Sequence, residues 1–165
     1  MKTLYFDCSS GISGNMTLGA LIEILGDKEY LIDELKKLNI VGYNIEISTK
    51  VKNGLTGTYV DVILENDDHH HEHHHEHRNL KDVNDIIDNS SLSDNVKNLA
   101  KKIFMRVAKA ESKVHNKPLD EIHFHEVGAI DSIVDIVGTA ILIEKINPDK
   151  VISSVVNDGY GFIEC

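Results

Sequence analysis

The chain has no tryptophan, two prolines, two cysteines and 5% aromatic residues in 165 positions. Cys8 and Cys165 stand near opposite ends, so neither a disulfide framework nor a paired-cysteine metal clip is available. That usage fits a reducing compartment, and the cytoplasm is the expected location. The chain also lacks a long apolar run. Met1 leads straight into Lys2-Thr3-Leu4-Tyr5-Phe6-Asp7, with an acid after three apolar-type positions, and nothing later approaches membrane-spanning length. Positive charge is short as well: 17 Lys and Arg face 27 Asp and Glu, for a net charge of −10. Such a surface repels phosphate backbones and anionic lipid, which argues against nucleic-acid and membrane partners. What is present, 41% hydrophobic and 27% charged residues, describes one ordinary globular domain over residues 1–165.

The order of elements is legible from periodicity. Leu4-Tyr5-Phe6 reads as a short strand, followed by a turn of small residues from Asp7 to Gly14. Met16, Leu18, Leu21, Ile22 and Leu25 then take helical spacing, Gly26-Asp27 breaks it, and Leu31, Leu35 and Leu38 resume it. Tyr43 to Val51 alternates as a half-buried strand, Tyr59 to Leu64 is its hairpin partner, and Lys52 to Gly57 supplies the turn. After a low-complexity excursion at 66–79, Leu80, Val83, Ile86 and Ile87 return to helical spacing. Ser93 is placed to cap a helix reaching about Val114. An almost wholly apolar helix runs from Ala129 to about Ile146 and stops at Asn147-Pro148, and Val151 to Val156 reads as a last strand. The expected fold is a two-layer α/β domain, with a small mixed sheet packed against helices and a His-rich insertion that has no apolar residue to bury.

Three stretches carry chemistry. The first is His69-His70-His71-Glu72-His73-His74-His75-Glu76-His77, in which seven of nine residues are imidazoles. Imidazole is largely neutral at cytoplasmic pH, so several ring nitrogens are available at once to a borderline ion such as nickel, zinc or copper. The tract suits gathering ions better than catalysis; its plainer reading is a solvated spacer. The second is His123-Phe124-His125-Glu126 with Asp131 and Asp135. In an extended segment His123 and His125 share a face while Phe124 points to the core. Asp131 and Asp135 lie one turn apart on a helix too apolar to carry carboxylates without a partner, an ion or a cleft. The plainer alternative has hydrogen-bonded strand histidines and outward-facing aspartates, Asp131 favouring the helix N-terminus. The third is Asp7-Cys8-Ser9-Ser10-Gly11-Ile12-Ser13-Gly14-Asn15, a strand-to-helix turn able to hold an anion, or simply a tight turn with a capping serine. It matches neither phosphate-binding glycine motif, and Cys8 reads as a soft ligand or a small buried thiol.

The segment from Tyr5 to Leu21, the segment from His123 to Gly138, the His-rich excursion and the closing Asn157-Asp158-Gly159-Tyr160-Gly161-Phe162-Ile163-Glu164-Cys165 together resemble the LarC-type nickel-insertion proteins. Two positions depart from that pattern: Ser9 replaces an aromatic residue and Asn15 an aspartate. The resemblance implies a nickel chelatase of the lyase class. Such proteins insert Ni²⁺ into pyridinium-3,5-bisthiocarboxylic acid mononucleotide, using CTP, to form the nickel-pincer cofactor of lactate racemase. It further implies that this chain is a first half, inactive alone, with CTP and Mg²⁺ or Mn²⁺ held by a C-terminal domain; self-association into a homo-oligomer is left open. On this reading His69, His70, His71, His73, His74, His75 and His77 gather the metal, with His123, His125 and Glu126 as further ligands. Asp7, Cys8, Asp131 and Asp135 serve transfer, and Ser9, Ser10, Gly11, Ser13 and Gly14 meet the nucleotide phosphate. A nickel storage or delivery protein and a plain α/β interaction module are the competing expectations.

Overall fold

A computed structural model describes residues 1–64, 78–124, 127–159 and 161. In chain order these form β1 (Thr3–Phe6), α1 (Gly14–Leu25), α2 (Lys28–Lys36), β2 (Tyr43–Lys52), β3 (Leu55–Leu64), α3 (Leu80–Asp88), α4 (Asp94–His115), a 3₁₀ turn (Leu119–Glu121), α5 (Ile130–Ile146) and β4 (Lys150–Ser153). The mixed α/β class expected from the sequence is what the structure shows. Its strands are divided between two pairs: β1 with β4 in parallel, and β2 with β3 antiparallel.

Local chemistry sets the boundaries. Ser13, in extended backbone, accepts the Met16 N–H and starts α1; Gly26, at φ +74°, ends it and returns its N–H to the Ile22 carbonyl. Asp27 caps α2 through the Tyr30 N–H, so the Gly26-Asp27 break separates two helices. α3 opens with a reciprocal cap between Asn79 and Asp82, and α4 starts on Ser93 as expected. The hairpin turn is tighter than expected. Asn53 and Gly54 both take positive φ, giving a two-residue turn of the handedness that twisted strands prefer, so β2 and β3 continue to Lys52 and Leu55. Asn147, at φ +48°, ends α5 ahead of Pro148.

The apolar run of α5 is explained by its position. Ile133, Val134, Val137, Ala140, Ile141 and Leu142 are fully buried, because α1 and α2 cover one side of the helix, α4 another, and β3 touches it as well. Leu18 and Leu31 reach in over Gly138, where an added β-carbon would lie 3.0 and 3.3 Å from their methyl carbons. α1 is held equally closely on the hairpin side, with Gly19 against the Thr58 carbonyl oxygen. Among the described residues no helix is long and apolar enough to cross a membrane.

Gly19→Ala is therefore expected to destabilise the chain by about 1–3 kcal/mol. That reverses the gain of about 0.5–1 kcal/mol that alanine normally brings to a helix interior. Urea unfolding measures it, and an unchanged or higher midpoint would contradict the close approach of α1 and β3.

Candidate functional site

The turn leaving β1 is held from two sides. The buried Cys8 donates its N–H to Ser154 Oγ at 2.8 Å, and its carbonyl accepts the N–H groups of Gly11 and Asn157, both at 3.1 Å. Its thiol lies 3.8 Å from the Phe6 carbonyl, and Asn157 Nδ2 donates to the Ser9 carbonyl at 3.2 Å. Residues that follow β4 thus clamp the turn that follows β1. Asp7 Oδ1 accepts the Ser9 N–H at 3.1 Å. Hydrogen bonds from the Ser9 side chain and backbone hold the Asp7 carboxyl below its usual range. Asn15 Oδ1 accepts from both Ser13 Oγ and the Met16 N–H. The N–H groups of Ser9, Gly11 and Met16 are therefore engaged within the chain, which reduces what the turn offers a phosphate.

Facing this turn, α5 presents Asp135, with Asp131 one helical turn before it. Asp131 is exposed, and its Oδ1 accepts the Ser132 N–H at 2.7 Å. Asp135, one turn further along, packs against the first residue of α1. A β-carbon at Gly14 would overlap the Asp135 carboxylate, so the glycine makes room for the acid. Asp135 Oδ1 is enclosed and has no hydrogen-bond partner. Desolvation, with the charge of Asp131 as a lesser cause, raises its pKa from 3.8 to about 6. The two elements bound a cavity of about 330 Å³ whose polar lining comes from Cys8, Thr17, Asp135, Thr139 and Ser153, set among apolar walls such as Phe6 and Ile136.

His123 belongs to another part of the structure. It is exposed and forms an antiparallel bridge with Asn79, while the following Phe124 is buried, as expected, with its ring 6.1 Å from that of Phe104. The Phe124 N–H donates to the Arg78 carbonyl at 3.0 Å, and Arg78 Nη1 donates to the Gly128 carbonyl at 2.9 Å. The end of the His-rich segment is thereby tied to the start of the HxH segment and to the loop entering α5. His69, His70, His71, His73, His74, His75, His77, His125, Glu126 and Cys165 lie outside the described residues.

The structure thus gathers Cys8, Gly14 and Asp135 around one cavity and places Asp131 within electrostatic reach of Asp135. His123 and Asp131 do not line it, and neither Ser9, Ser10 nor Ser13 does. Among the described residues no three His, Cys, Asp or Glu side chains are grouped to hold a metal ion. Sequence reasoning missed Ser154 and Asn157, the clamps on the turn. It also missed the part of Gly14, which is space for a carboxylate rather than a donor alone. Only a pairing of distant elements reveals either.

An Asp135 pKa raised by folding means that its contribution to stability is full below pH 3.8 and is lost as pH rises through about 6. Asp135→Asn is then expected to stabilise the chain at pH 7.5 by roughly 1–2 kcal/mol, discounted for the partial solvent exposure of the group. The gain should shrink towards pH 4, as denaturant unfolding across that range will show. Equal stability of the two proteins at every pH would contradict the enclosed carboxylate.

Comparison with known proteins adds the family. Over 167 residues the chain is 54% identical to the pyridinium-3,5-bisthiocarboxylic acid mononucleotide nickel insertion protein of Acetivibrio thermocellus, covering all of this chain and 41% of that protein. It is 53% identical to the protein of the same name from Clostridium kluyveri, covering 100% of this chain and 43% of the relative. It is also 50% identical to a putative nickel insertion protein of Dictyoglomus thermophilum, covering 99% of this chain and 40% of the relative. The chain therefore spans about two-fifths of the length of these curated relatives. No solved structure matches it. Residues 4–165 match the model of the nickel insertion protein family, so the chain belongs to that family.

Proposed function

We propose that this chain is the nickel-handling part of a protein that inserts Ni²⁺ into pyridinium-3,5-bisthiocarboxylic acid mononucleotide, the compound in the names of its relatives. The product would be the nickel-pincer cofactor of lactate racemase, and the reaction that of a chelatase of the lyase class. CTP and Mg²⁺ or Mn²⁺ would be held by the further length that the relatives carry. Nickel is cargo here, taken up and passed on.

The observation that carries this reading is the shared cavity lined by Cys8 and Asp135, a buried thiol and a carboxylate with one unpartnered oxygen. One soft and one hard donor suit a borderline ion and leave most of its coordination positions open. The two thiocarboxylate sulfurs of the mononucleotide are soft donors, and they would take the ion from so incomplete a set. Supply would follow the chain: the imidazoles of residues 69–77 would collect nickel, the Arg78 carbonyl after them accepts the Phe124 N–H next to His123, and the exposed Asp131 would pass the ion towards Asp135 one helical turn away. His125 and Glu126 would add further ligands, and Asp7 would add negative charge near the turn. The Ser9–Gly14 turn is the proposed seat of the nucleotide phosphate, with Ser10 at its exposed tip.

Calorimetry with Ni²⁺ on the chain lacking residues 69–77 tests the reading. One residual stoichiometric site is expected, weakened at least about tenfold by Cys8→Ser and by Asp135→Asn. The expected stability gain of Asp135→Asn separates lost binding from lost folding. Absence of a residual site would defeat the defined-site part.

The competing reading, nickel storage or delivery without insertion, draws on the lack of a three-ligand group among the described residues. Supplying the mononucleotide, CTP, Mg²⁺, Ni²⁺ and the remaining length of a relative separates the two. A nickel–sulfur charge-transfer band is expected for insertion, and its absence favours delivery.

A further inference from the structure

We infer that the free edge of β1 receives a β-strand from the part of the polypeptide that the relatives carry beyond the length matched here. This inference does not depend on the nickel reading. The carbonyls of Lys2 and Phe6 accept from Lys150 and Ser154 of the β4 side. The alternate residues, Thr3 and Tyr5, therefore turn their own N–H and C=O groups to the opposite edge, where no described strand lies. A parallel pair of two strands is a fragment of the arrangement in which parallel strands are stable, since parallel sheets are normally larger and covered on both faces. The edge itself carries no proline and no charge between Thr3 and Phe6, so nothing blunts it.

Beside this edge α1 carries an apolar stripe on which no described element packs. Met16, Ala20 and Ile24 lie four residues apart on one face, and Met16 and Ile24 are 59% and 60% exposed. The other faces of α1 are occupied by α5 and β3, so this is the face the fold leaves open. Between the stripe and Leu4, Tyr5 and Phe6 runs a groove of about 180 Å³. A strand added along β1 would pair with Thr3 and Tyr5 and lay alternate side chains onto Met16, Ala20 and Ile24, which combines main-chain pairing with apolar burial.

The occupant is the continuing chain rather than a second copy. The relatives have more than half their length outside the matched span, so further chain is available in the same molecule. A symmetric pairing of two copies would instead bring together two bodies of charge −10 along one edge.

Amide hydrogen exchange provides the test. In the full-length Acetivibrio thermocellus relative, the amides aligned with Thr3 and Tyr5 are expected to exchange at least about tenfold more slowly than Thr3 and Tyr5 in this chain alone. When this chain is extended by the relative's remaining length, Met16→Asp with Ile24→Asp should restore fast exchange; both positions are exposed, and far-UV circular dichroism checks that folding is retained. Equal exchange in the long and short proteins would overturn the inference. So would protection of β1 in the short chain that rises with concentration alongside a dimer mass, which would assign the edge to a second copy.

Discussion

The spacing between α1 and α5 is the constraint on which the rest of the molecule depends. Gly14 lets the start of α1 meet the carboxylate of Asp135, and Gly138 lets Leu18 and Leu31 close over the middle of α5. Gly19 brings the same helix onto the Thr58 carbonyl of the hairpin. Interiors packed to crystal-like density do not absorb an extra methyl group at such points without moving an element. One helix is thus fixed on two sides by close contacts at glycines, against the side chain of Asp135 on one and the backbone of Thr58 on the other, and the turn preceding it is fixed with it.

That rigidity is what makes an awkward carboxylate tolerable. Burial and the charge of Asp131 both oppose ionisation of Asp135, and no hydrogen bond compensates at Oδ1. A group that costs stability and persists in a well-packed interface is the pattern expected where function sets the residue rather than folding. The thiol of Cys8 on the same cavity is buried in a turn that Ser154 and Asn157 hold, so that turn is positioned by residues from opposite ends of the described chain. A cation entering this cavity would relieve the uncompensated carboxylate, and its departure would restore the cost. On the proposed function, binding and release would both be coupled to the same unfavourable group.

Much of this was legible in the sequence, and the reasons are local. Ser93 and Gly26-Asp27 announced their boundaries because caps and breaks depend on a few adjacent side chains. The almost wholly apolar character of α5 announced the helix, and the paired Asp131 and Asp135 within it raised a choice between a cleft and an outward face, which the structure divides: Asp135 lines a cavity and Asp131 is exposed. The HxH alternation correctly sent Phe124 inward. What stayed hidden was pairing at a distance. Nothing in Gly14 distinguishes a glycine that turns the chain from one that receives an aspartate 121 positions later. Ser154 and Asn157 carry no motif that points back to Cys8. The hairpin turn was read too long because Lys52 to Gly57 is uniformly polar or small apart from Leu55, although Asn53-Gly54 inside it already specified a two-residue turn.

The proposal that α1, α5 and the Cys8 turn form one nickel-accepting cavity is tested most directly by nickel K-edge X-ray absorption on the metal-loaded chain lacking residues 69–77. A sulfur neighbour accompanied by oxygen donors is expected, with the sulfur lost in Cys8→Ser and the oxygen shell altered in Asp135→Asn. A nickel environment of nitrogen and oxygen alone, unchanged by either substitution, would contradict it.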